Sequence, residues 1–142
     1  MDNLNPQDTR KVFFDAWQKE LRSEILTPLE SIIVDVLKRH PEYQGIFSHQ
    51  EAFENYQINL KQGEPNPFFH LSLHVAILEQ VGADKPLGIK NIYERLVRKT
   101  GDVTEAEHMM IEVLAKALYS AHQSSGEADE QVYLENLTRL LK

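Results

Sequence analysis

Two histidines one helical turn apart, His70 and His74, sit inside the apolar run Phe68-Phe69-His70-Leu71-Ser72-Leu73-His74-Val75-Ala76-Ile77-Leu78. An i, i+4 pair of imidazoles on one helix offers two nitrogen donors of the kind that bind transition metals. At about 100° per residue, Leu71, Ile77, Leu78 and Val81 project within about 60° of His74, and His70 lies about 40° from it. Both rings are therefore expected on the apolar side of their helix, where an imidazole costs free energy unless it is hydrogen-bonded or metal-bound. A second stripe runs through His108, Glu112, Tyr119 and His122, and its first two members place an imidazole and a carboxylate one turn apart. Two such pairs on facing helices would give three nitrogens and one oxygen, a donor set suited to zinc, iron, nickel or copper. The predicted metal ligands are thus His70, His74, His108 and Glu112, with His122 as substitute if the helix is rotated and zinc or iron as the expected ion.

Each residue also has a plainer reading. His70 and His74 can serve as core hydrogen-bonders, with Glu30, Asp35 and Tyr43 as candidate partners on other helices. The His108 to Glu112 stripe lies about 120 to 160° from the apolar arc centred near Leu114, so it can equally be a helix-stabilising surface pair. In that case the chain is a non-enzymatic helical interaction module, with Phe13, Trp17, Phe68 and Phe69 as aromatic anchors for a protein partner or a second copy in a homodimer.

Other chemistries find little support. Ser72 points about 160° from His74 and cannot use that ring as its base. The six glycines are scattered singly, so no phosphate-cradling loop is formed. Cysteine is absent, which removes disulfides, thiolate ligands and a thiol nucleophile together. With 15 Lys and Arg against 22 Asp and Glu, the net charge of -7 opposes binding to nucleic acid or anionic lipid. The basic cluster Lys85, Lys90, Arg95, Arg98 and Lys99 is interleaved with apolar residues, as on the solvated face of an amphipathic helix. No segment has the apolar length of a membrane span, no signal sequence opens the chain, and a cytoplasmic location is expected.

Helix start signals mark the elements that must position these side chains. Asn5-Pro6 opens a helix carrying Phe13, Phe14, Trp17, Leu21 and Ile25. Thr27-Pro28-Leu29-Glu30 forms a capping box for a helix that must stop before Pro41, since proline disfavours helical geometry at His40. Ser48-His49-Gln50-Glu51 caps a short segment, followed by an extended connection over Gln57 to Pro65. Asn66-Pro67 begins the histidine helix, which is expected to end on a left-handed cap at Gly82. The next helix spans about Leu87 to Lys99 and ends at Gly101. Thr104-Glu105-Ala106-Glu107 reads as another capping box opening a helix to about Gln123, a role that accounts for Glu107 within its apolar arc. A last helix carries Val132, Tyr133, Leu137, Leu140 and Leu141.

Six or seven helices with no convincing strand predict an all-α bundle, and 142 residues suit a single domain over positions 1–142. The words Asn66-Pro67-Phe68-Phe69-His70-Leu71-Ser72-Leu73-His74, with Pro86-Leu87-Gly88-Ile89, Phe13-Phe14-Asp15-Ala16-Trp17 and His40-Pro41-Glu42-Tyr43, resemble an uncharacterised bacterial domain-of-unknown-function family of small helical proteins. That resemblance implies one domain over the whole chain and carries over no catalytic residue.

Overall fold

The computed structural model describes residues 6–59, 67–123 and 129–142. It contains eight α-helices and one 3-10 turn, with no strand among the described residues. The count exceeds the expected six or seven because Pro41–Gln44 forms a separate one-turn helix. By its internal contacts the chain divides within its fifth helix, into a unit ending at Leu71 and a unit beginning at Ser72.

In the first unit, α1 (Pro6–Leu21) packs on α2 (Pro28–Lys38). The Thr27 capping box is present in full: the Glu30 amide donates to Thr27 Oγ1 at 3.2 Å, and the Thr27 amide donates to Glu30 Oε1 at 2.9 Å. Two ion pairs, Lys19–Glu30 at 2.8 Å and Lys38–Glu20 at 2.9 Å, join α1 to α2. The Lys19 ammonium and then the Thr27 amide hold the Glu30 carboxyl below the ordinary carboxylate range. α1 ends earlier than the apolar spacing suggests, because Ser23 takes a positive φ of 57°. Ile25 therefore leaves the helix and is almost fully exposed.

After α2 come α3 (Pro41–Gln44), the 3-10 turn Gly45–Phe47 and α4 (Gln50–Asn59). The cap of α4 is His49, whose Nδ1 accepts from the Ala52 amide, while the Ser48 hydroxyl turns back to the Gln44 carbonyl. The extended connection expected from Gln57 is corrected by α4, which continues helically to Asn59; positions 60–65 lie outside the described residues. The unit's core is aromatic. Phe14 stacks on Phe53 at 4.9 Å, Phe47 meets Phe68 edge-on at 5.5 Å, and the Arg10 guanidinium lies 4.9 Å over the Phe68 ring. Phe13, Trp17, Phe47 and Phe68 are all buried here.

The fifth helix, α5 (Pro67–Ala83), is buried nearly all round over its middle, with Leu71, Leu73, Val75 and Ile77 inside. It passes through Gly82 without a left-handed turn. Asp84 takes that conformation instead, at φ 52°, and its Oδ1 accepts from the amides of Gly88 at 3.1 Å and Lys90 at 3.0 Å. One aspartate thus ends α5 and ties down the start of α6 (Ile89–Thr100), a service glycine could not perform.

α6 closes on Gly101 at φ 72°, and α7 (Val103–Gln123) begins two residues later. The Glu105 amide donates to Asp102 Oδ1 at 3.2 Å, so Asp102 caps α7 and the capping box expected at Thr104 does not form. Leu73, Ile77, Ile92, Leu96, Met110, Leu114 and Leu137 share one core with α8 (Glu130–Arg139). The Tyr133 hydroxyl, whose pKa burial pushes up, donates to Gln80 Oε1 at 2.7 Å. The Lys85 to Lys99 charges behave as expected of a solvated face, with Lys90, Arg95 and Arg98 exposed and Lys99 reaching the carbonyls of Leu140 and Lys142.

Candidate metal centre

α5 presents His70 and His74 on successive turns, and in each unit one of them faces a second imidazole. In the first unit the partner of His70 is His40. This residue follows α2 and precedes Pro41, in a non-helical conformation at φ -127° and ψ 67° that swings its ring out of the helical register. His40 is buried, its Nε2 is 3.3 Å from His70 Nε2, and the two rings meet edge-on at 4.8 Å. Tyr43 stacks on the other side of His40 at 5.5 Å.

The His40 Nδ1 is 3.2 Å from Glu42 Oε2. The Glu42 backbone amide, followed by His40, lowers the Glu42 pKa, so the carboxylate is the acceptor and His40 Nδ1–H the donor. That bond leaves the lone pair of a neutral His40 ring on Nε2, the nitrogen directed at His70.

In the second unit His74 is fully buried, and so is Glu107 of α7. His74 Nε2 lies 2.7 Å from Glu107 Oε1, and the Tyr93 hydroxyl of α6 donates to Glu107 Oε2 at 2.7 Å. Both oxygens of this buried side chain therefore have a hydrogen-bonding partner, as a polar group taken wholly out of water requires. His108, one position beyond Glu107 on α7, meets the His74 ring edge-on at 5.2 Å.

The expected ligands are thus distributed unevenly. His70 belongs to the first unit's imidazole pair and His74 and His108 form the second's, whereas Glu112 is exposed on α7. The side chain of His122 lies outside the described residues. Among the described residues, the ring nitrogens grouped so that they could serve a metal ion are those of His40 and His70 in the first unit and of His74 and His108 in the second. Of the partners suggested for core histidines, Glu30 is bound to Lys19, Asp35 is exposed, and only Tyr43 touches a histidine, by stacking on His40.

Two members were missed as such. Glu107 was visible as an acid inside an apolar arc, but a capping role was available to explain it and Asp102 performs that role instead. His40 left no periodic signal, because it lies beyond the end of α2, where a helical wheel assigns no face.

A family model described as Domain of unknown function (DUF1841) matches residues 5–139. The chain belongs to the DUF1841 family. No curated protein and no solved structure matches it. For this DUF1841 chain, function has to be argued from the chemistry of the histidines themselves. No helix among the described residues is long and apolar enough to cross a membrane.

Proposed function

We propose that this chain binds a divalent transition-metal ion through the α5 histidines and the rings that face them, His70 with His40 in the first unit and His74 with His108 in the second. The observation that carries the proposal is the carboxylate behind two of these rings: Glu42 on His40 and Glu107 on His74. A metal-ligating histidine characteristically gives its other ring N–H to a carboxylate or carbonyl, which fixes the tautomer and raises the basicity of the ligating nitrogen. α5 carries His70 and His74 one helical turn apart.

Four neutral nitrogens with no thiolate suit zinc, copper, nickel or iron, and disfavour magnesium and calcium, which take oxygen. Zinc or iron bound in the cytoplasm is the reading adopted here. The interaction-module alternative has no comparable support, since Phe13, Trp17 and Phe68 are buried within their own unit and Phe69 alone of the four aromatics is exposed.

Tag-free protein analysed by elemental mass spectrometry should carry bound transition metal. His40→Ala and His74→Ala should each lower the metal content, and Glu112→Ala should leave it unchanged. Wild-type protein that is isolated metal-free and takes up no added zinc, iron, nickel or copper would overturn the proposal.

A further inference from the structure

A neutral imidazole carries its proton on one nitrogen and its lone pair on the other, so whatever holds the proton decides which atom can ligate. In this chain the two carboxylates engage opposite nitrogens: Glu42 engages Nδ1 of His40, and Glu107 engages Nε2 of His74. Glu107 cannot easily turn away, because its second oxygen is held by Tyr93 and the whole side chain is buried. We infer that Tyr93 and Glu107 act as positioning residues that keep His74 as the Nε2–H tautomer, so that His74 ligates through Nδ1 while His40 ligates through Nε2. The inference rests on the proposed metal site for its consequence, but the tautomers exist without metal.

The asymmetry has a geometric reason. A lone pair on Nδ1 leaves the ring close to the helix backbone, whereas one on Nε2 leaves from the far edge. His74 stands on α5 itself and so offers a short-reach donor, while His40 lies outside a helix and offers a long-reach one. Loss of the carboxylate would free the His74 ring to exchange tautomers, and the fraction holding the wrong one would have to be converted at each binding event. Removing such an outer carboxylate typically costs about 10- to 100-fold in metal affinity.

The test is long-range proton–nitrogen correlation NMR on metal-free full-length protein labelled in its histidine rings, at a pH where they are neutral. His74 is expected to give the Nε2–H pattern and His40 the Nδ1–H pattern. Cobalt affinity, followed by its visible absorption, should fall about 10-fold in Tyr93→Phe and further in Glu107→Gln, towards the upper end of that range. The His74 pattern in the variants should shift towards a mixture, a change that loss of packing alone would not produce in protein that retains its wild-type circular dichroism. An Nδ1–H pattern for His74 in the wild type would overturn the inference, as would unchanged affinity in both variants. Should the wild type bind no cobalt at all, the proposed function fails while the NMR pattern still decides the tautomer.

Discussion

Glu107 shows how a single buried acid can organise its surroundings. Its oxygens have partners on α5 and α6 at once, so removing either partner leaves a buried polar group short of a hydrogen bond. Tyr93→Phe is accordingly expected to destabilise the protein by about 1–2 kcal/mol, read as a lower urea midpoint at unchanged slope. Glu107→Leu removes the acid but strands the buried His74 Nε2, and a loss of about 3 kcal/mol is expected from the same measurement. At this scale the sequence revealed what periodicity can see. His70 and His74 stood out because imidazoles are foreign to an apolar run, and His108 because it recurs at helical spacing. Glu42 and His40 lie around a proline where periodicity stops, and the Tyr93–Glu107–His74 chain depends on which helices adjoin, information that no spacing contains.

Among the elements, the best-read starts were those where a capping side chain has one amide within reach. The Thr27 box formed as expected, and Thr27→Ala should cost about 1 kcal/mol in chemical denaturation. Where two candidate caps stand close together, local chemistry is ambiguous. Asp102 displaced Thr104, and His49 displaced Ser48, because the helix begins wherever the preceding turn delivers the chain. The Thr27 box also carries a pH dependence. Glu30 has its folded pKa lowered by Lys19 and the Thr27 amide, so its contribution is present above the ordinary carboxylate pKa and is lost as pH falls through the lowered folded value. Melting temperatures of wild type and Glu30→Gln should therefore differ at pH 7 and converge in acid; a gap that persists or widens below pH 3 would contradict the assignment.

For the whole molecule, composition and repeated capping signals were enough to establish an all-α chain, since no strand pattern found a partner and the long apolar periods were helical. They could not reveal that the contacts divide within α5, because a helix buried nearly all round has no face by which to assign its neighbours. That same burial makes metal binding measurable as stability. An ion that binds the folded chain and not the unfolded one stabilises by RT ln(1 + [L]/Kd), about 2.7 kcal/mol at a free concentration 100 times Kd. For a chain of 142 residues this corresponds to a rise in melting temperature on the order of 5–10 °C. A chelator should reverse the rise. His74→Ala and His108→Ala should both reduce it, because each would remove one donor of the second unit's pair. A rise that survives undiminished in both variants would mean that this pair does not hold the metal, and the ligand set would then have to be redrawn.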